Sequence, residues 1–421
     1  MPRLISMKKV MILSMVGILL LNIITFFSSI GICQETSSKT LYVGGTGDAS
    51  CNSIQDAINA SESGDMVIVY SGTYYENIVI DKSIDLISEN RGKTIIEGDI
   101  NISVNATAVV NFTINGSIVL QGSTERPFSS TSFYNNSITN NFITNGRILL
   151  DSEWGSFVNI NISGNTIDYG HIYSTGTFYK SSIYKNILSN SWCGINLRHA
   201  HNNNITNNVI TNINGTGIIL PEYGTHNNIS NNNISNNDGN GIHLALSEDN
   251  VISNNIIKNN KNGIYLEFWN RENIITENIL VENDNYGIYY GNPGSFPNND
   301  VIYRNSLIDN VLGNAYETSD NSDVSNNSWY NVTVGDGNYW DDYTGSDNNG
   351  DGIGDIPYDI DGGDNQDKYP LMTPYTGEIP EEKIDNDIDT SFIYPMLIIG
   401  MIIAIIFCLP IAYYWRKKWF T

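Results

Sequence analysis

The dipeptide Gly-Ile stands at positions 194, 217, 241, 263 and 287, at spacings of 23, 24, 22 and 24 residues. It opens the words "GINLRHA", "GIILPEY", "GIHLALS", "GIYLEFW" and "GIYYGNP". Ahead of them lie pieces such as "NNITNNVITN" and "NNISNNNISN", and looser copies reach back through 181–197, 159–176 and 135–150. A unit of about 23 residues with three short apolar pieces cannot be a helical repeat. The pieces are too short for helices and are rich in Ile, Val and Tyr. The L-x-x-L-x-L spacing of a leucine-rich repeat is absent. Three short strands separated by polar turns describe one coil of a parallel β-helix. Within "GIHL", alternation points Ile242 and Leu244 inward and His243 outward, in a stack with Asn196, Ile219, Tyr265 and Tyr289. Residues from about 66 to 334 give roughly twelve coils, a rod of about 55 Å at the inter-strand spacing.

This architecture explains the many Asn residues. Strands of a few residues leave much of the chain in turns, and Asn tolerates the left-handed conformation that tight turns need. Stacked at equivalent places, its amides can also bond coil to coil and satisfy polar groups that point inward. An open solenoid end exposes unpaired edges and needs a cap. The stretch 41–80 supplies one, with a helix expected at roughly 53–61. Ser53 is its N-cap, Asp56 follows three residues on, and Ile54, Ala57 and Ile58 form one apolar face.

Both termini read as membrane segments. Residues 10–30 are apolar, follow Arg3, Lys8 and Lys9, and precede small residues, as in a signal peptide or an uncleaved signal anchor over 1–33. The run 392–415 is long enough to span a bilayer and is followed by Arg416, Lys417 and Lys418. The positive-inside rule places the tail 416–421 in the cytoplasm and the rest outside. The expectation is thus a single-pass protein of the cell membrane with an extracellular or periplasmic rod, joined by an acidic linker at 373–391. Of the cysteines, Cys33 and Cys408 lie in or beside the apolar ends, and Cys51 and Cys193 are far apart, so the fold does not rest on disulfides. The net charge of −24 disfavours nucleic acid, anionic membrane surfaces and polyanionic glycans and favours cations. Thirteen N-x-S/T sequons, among them Asn101, Asn105, Asn111, Asn115, Asn204 and Asn214, largely follow from the Asn-Ile-Ser/Thr coil word.

The opening "SIQDAINA" and "GDMVIVYSGTYYENIVI", the Gly-Ile coils and the closing "GDGNYWDDYTGSDNNGDGIGDIPYDIDGGDNQDKYPLM" (335–372) together resemble the NosD-like members of the pectate-lyase-like β-helix class. The resemblance covers roughly residues 40–372. It implies an all-β fold: a right-handed parallel β-helix, a single-stranded solenoid, here with the short N-terminal capping helix and the C-terminal transmembrane helix. The solenoid is expected over 40–334, its N-cap over 40–65 and an Asp/Gly-rich C-cap over 335–372. The class holds glycan-binding proteins, glycan-cleaving enzymes and a copper-handling accessory protein for nitrous oxide reductase maturation, and fold does not choose among them.

Three sets of residues carry chemistry. Asp347, Asn349, Asp351, Ile353 and Asp355 follow the first two-thirds of a calcium loop, with Gly352 at its sharp turn. Position twelve is Tyr358, so the usual bidentate Glu is missing, and calcium here would be structural. His199, His201 and His226 fall near one edge of neighbouring coils, a set suited to copper or zinc but without Met or Cys support. Tyr223, Tyr265, Phe268, Trp269 and Tyr289 follow the Gly-Ile words and form an outward aromatic strip suited to sugar faces. No clustered Asp pair marks a hydrolase. The expectation is a non-catalytic surface protein that binds glycan or metal. Copper handling, polysaccharide cleavage and a purely structural role in the envelope stand as alternatives.

Overall fold

The computed structural model describes residues 38–45, 51–121, 131–152, 154–291, 298–318 and 326–375. The expected membrane segments at 1–33 and 392–421 and nearly all of the linker lie outside the described residues. Among the described residues, no helix is long and apolar enough to cross a membrane.

Three long parallel sheets wind together. Sheet A has 12 strands, from Thr40–Val43 to Val301–Tyr303. Sheet B also has 12, from Gly72–Tyr74 to Tyr339–Trp340, and sheet C has 11, from Ile78–Ile80 to Gly313–Glu317. A short four-stranded ribbon adds a fourth side over Phe133–His201. Each coil passes through sheets A, B and C in turn and pairs in register with the next, as in Asn204↔Asn228↔Val251↔Ile274. Complete turns number about eleven, one fewer than the sequence count. The ends account for the difference. Thr40–Val43 leads into the helix α1 (Ile54–Ala60) before the first full turn, and Tyr339–Trp340 belongs to the cap while extending sheet B.

Sheets A and B bury the central residue of each strand: Ile205, Ile229 and Ile252 in A, Ile210, Ile234 and Ile257 in B. Sheet C does the reverse. It buries the first and third residues, as in Ile242 and Leu244, and turns the middle one outward. Each fully buried Ile contributes on the order of 2 kcal/mol. The outer face of sheet C therefore carries one side chain per coil along its centre, where A and B carry two.

The Asn residues sit where the turn argument places them. From Asn140 onward each A-to-B corner has a left-handed residue, such as Asn207 (φ 57°) or Asn231 (φ 58°), followed by a buried Asn. Those buried amides form a ladder through Asn141, Asn165, Asn186, Asn208, Asn232, Asn255, Asn278, Asn305 and Asn338. Within it, the Nδ2 of Asn208 donates to Asn232 Oδ1 at 3.0 Å and to the carbonyl of Ile183 at 3.0 Å. A second ladder at the entry to sheet A runs Asn203, Asn227, Asn250, Asn273, and a third at the B-to-C corner runs Asn237, Asn260, Asn283, Asn310. In all three the Asn-to-Asn bond runs from Nδ2 to the Oδ1 of the next coil toward the C-terminus, while Nδ2 also donates to a carbonyl of the preceding coil.

Each ladder ends on carboxylates. Asn338 N donates to Asp367 Oδ2, Asn273 donates to Asp300 Oδ1, and Asn310 passes through Asn314 to Asp341 and Asp342. A carboxyl group offers two acceptor oxygens, so it can close a chain of amide donors. Buried Trp329 and Trp340 fill the space beneath, donating to Glu317 and Asp367 at 2.9 Å each. At the other end α1 covers the first coil with Ile54, Ala57 and Ile58 buried, and Ser53 Oγ accepts from Asp56 N at 3.1 Å. A partner that sequence did not reveal completes this cap: the Glu76 carboxylate accepts from Ile54 N and Gln55 N at 2.9 and 3.0 Å.

Candidate functional site

The outward column of sheet C reads, in register, Val79, Asn101, Val119, Leu149, Tyr173, Asn196, Ile219, His243, Tyr265, Tyr289 and Tyr316. Its last four residues form one continuous stack of rings. The His243 and Tyr265 centroids lie 4.7 Å apart, Tyr265 and Tyr289 5.3 Å, and Tyr289 and Tyr316 5.8 Å. Tyr286 joins from the side at 5.4 Å from Tyr289 and 5.2 Å from Tyr316. Coil spacing makes this possible, because residues paired in adjacent parallel strands sit about 4.8 Å apart.

Glu267 anchors the stack. His243 Nε2 lies 3.0 Å from Glu267 Oε2, and Tyr265 hydrogen-bonds the same carboxylate. Burial, then the Glu267 charge, pushes the Tyr265 hydroxyl up to about 12, so it stays a neutral donor. Burial draws the His243 imidazole down, against the opposing pull of Glu267. Gly291 leaves the room the ring needs, since a Cβ there would meet Tyr265 Cε2 at 2.7 Å and its hydroxyl at 2.9 Å.

The expected aromatic strip divides in two. Tyr265 and Tyr289 lie on sheet C with their faces turned on one another, so they offer edges and hydroxyls. Tyr223, Phe268 and Trp269 lie on the adjoining corner, all at positive φ (52°, 47° and 42°). Phe268 and Trp269 follow Glu267 directly and are 42% and 51% exposed. Tyr223 stacks on His199 at 5.8 Å. Tyr286 and Tyr316 are additions. Tyr286 precedes its Gly-Ile word, and Tyr316 lies beyond the last such word. Only the pairing Ile288↔Ala315 brings Tyr316 into the column.

The three histidines gather on one corner, as their sequence register implies. His201 pairs with Thr225 in the next coil, and His226 follows it. His201 is drawn down by burial and by the charges of His199 and His226. Each ring, however, has a different partner: Thr225 Oγ1 at 2.8 Å for His201, Glu222 at 3.5 Å for His199 and Asp249 at 3.6 Å for His226. In the loop 347–355, Asp347 accepts from Gly350 N and Gly352 N at 2.7 and 2.9 Å, which holds its carboxyl below the usual carboxylate range. Asp351 accepts from Asn349 and Ile353 N, and Asp355 accepts from Asn348. Among the described residues, no group of three or more His, Cys, Asp and Glu side chains is arranged to hold a metal ion. Cys51 and Cys193 are both free thiols, and burial pushes Cys193 up to about 12.

The family model described as "Right handed beta helix region" matches residues 170–329. No curated protein matches the chain. Among solved structures, the periplasmic alginate epimerase AlgG is 16% identical at a TM-score of 0.40, over 61% of this chain and 65% of that one. The A-module of an Azotobacter vinelandii mannuronan C-5 epimerase is 13% identical at a TM-score of 0.41, over 65% of this chain and 92% of that one. The catalytic domain of an α-1,3-glucanase is 15% identical at a TM-score of 0.41, over 67% of this chain and 55% of that one. The chain thus spans less than two thirds of the length of that AlgG chain.

Proposed function

We propose that this right-handed β-helix is a non-catalytic surface rod that binds a neutral polysaccharide along the outer face of sheet C. The observation that carries the reading is the ring stack from His243 to Tyr316 with Glu267 beside it and Phe268 and Trp269 exposed at its edge. The stack holds its side chains in place before any ligand arrives, which lowers the entropy lost on binding. It offers a row of phenol edges and a carboxylate, groups that bond sugar hydroxyls. Phe268 and Trp269 supply ring faces for apolar sugar surfaces. The net charge of −24 repels uronate polymers, which selects neutral glycans. In this reading 392–415 anchors the rod in the membrane and residues 40–375 project outside the cell.

Affinity electrophoresis of the full chain in gels containing neutral glucan or mannan, or alginate or pectate, tests it. The expected result is retardation by at least one neutral polymer and by neither uronate. Release of reducing ends would instead identify an enzyme, which requires a second carboxylate roughly 5–10 Å from the first. A purely structural rod would show no retardation in any gel.

A further inference from the structure

Away from the face of sheet C, the B-to-C corner holds a groove of about 350 Å³. One wall is the column Tyr169, Asn190, Asn212 and Asn236, stacked by register over successive coils. Asn214 and Asp238 form the other wall and Ile213 the floor. The corner is rigid: Asn214 N donates to Ser191 O at 2.7 Å and Asp238 N to Ile213 O at 2.8 Å.

Tyr169 interrupts the Asn column within the groove. The wall position is left-handed in successive coils: Asn holds it at 145, 190, 212, 236 and 259 with φ between 53° and 56°, and Glu282 and Asp309 hold it further on at 53° and 50°. Asn adopts that conformation more readily than a large aromatic does, although Tyr223, Phe268 and Trp269 also hold it at another corner. Tyr169 nonetheless occupies it at φ 58° and leaves its ring 62% exposed at one end of the groove. Of the side chains that line the groove, only Tyr169 carries an aromatic ring, a surface on which a sugar ring can stack.

We infer that this groove is a second saccharide subsite, with Tyr169 as the platform for one sugar ring and the Asn190, Asn212 and Asn236 carboxamides bonding hydroxyls along the rod axis. Each carboxamide has both donor and acceptor atoms, as sugar hydroxyls do; Asn190 Nδ2 also donates to Asp168 Oδ1 at 2.7 Å, and Asn236 Oδ1 accepts from Asn259 Nδ2 at 3.2 Å. Asp238 disfavours an anionic sugar at the same place, so the ligand class is again a neutral oligosaccharide. The inference rests on the glycan reading of sheet C and adds a contact separate from it. Trp192, 58% exposed and packed 4.8 Å from the His171 ring, lies on the segment that joins the groove wall to sheet C.

Titration calorimetry of the full chain in detergent with cello- and manno-oligosaccharides tests the two sites separately, using Tyr169→Asn and Trp269→Ala. Tyr169→Asn installs the residue the other coils use, so its melting temperature is expected to hold or rise while affinity falls about tenfold. Loss in both variants supports both sites. Loss in Trp269→Ala alone overturns the groove and leaves sheet C standing. Loss in Tyr169→Asn alone supports the groove and overturns sheet C. Binding unchanged in both, or absent from the natural protein, overturns the two together.

Discussion

The A-to-B corner and the outer face of sheet C are built by the same repeat, yet from Asn141 onward one hardly varies while the other changes along the rod. The corner places Asn at nine successive buried positions from Asn141 to Asn338. The face runs through Val, Asn, Leu, Tyr, Ile and His before settling on Tyr. A buried position that must both donate and accept along the rod admits little besides Asn. An outward position in the centre of a strand is free of that demand, so its composition reports what it meets. The lesson is to look for chemistry where the repeat relaxes, at His243, Tyr265, Tyr289, Tyr316 and Tyr169.

The sharpest way to break this contrast is to cut the ladder. Asn232→Ala removes the acceptor of Asn208 and the donor to Ile205 O and Asn255 in a fully buried site. With about 1–3 kcal/mol for each buried group left unpaired, urea unfolding is expected to show a loss of about 3 kcal/mol or more. Asp367→Ala acts on the ladder's end, leaving Asn338 N and the Trp340 indole without an acceptor. It should cost about 2 kcal/mol, and a smaller change would mean that the cap does not depend on the ladder.

The ladder ends also make a pH prediction. Burial raises Asp300 to about 7 and Asp367 to about 6, and raises Glu317 as well. The folded chain therefore binds these protons more tightly than the unfolded chain. Their contribution to stability is full below the ordinary carboxylate range and declines as pH rises through about 6 to 7. The melting temperature should be higher at pH 5 than at pH 8, and should lose much of that difference in Asp300→Asn. The smallest stability effect belongs to the face. Ile219→Thr, on the outward column of sheet C, should stay within about 0.5 kcal/mol of the natural protein.

Much of the fold was legible because its rules are local and repeated. The Gly-Ile spacing, the inward Ile242 and Leu244, the left-handed Asn turns and the Ser53 cap all follow from short words. What was not legible depends on pairs distant in sequence. Glu76 caps a helix that begins 22 residues earlier, a relation no local pattern announces. No local pattern marks Asp300, Glu317 and Asp367, yet the fold buries them where the ladders need acceptors. The aromatic strip was legible as composition but not as geometry. Stacking at coil spacing turns Tyr265 and Tyr289 toward each other, and it adds Tyr286 and Tyr316 to the set.

Hydroxyl-radical footprinting of the full chain, with and without a neutral polysaccharide that retards it, tests the central claim most directly. Protection concentrated at His243, Tyr265, Tyr289, Tyr316 and Trp269, with Tyr75 and Trp154 unchanged at 82% and 68% exposure, is the result the account predicts. Equal labelling of the sheet C stack in the bound and free protein would contradict it.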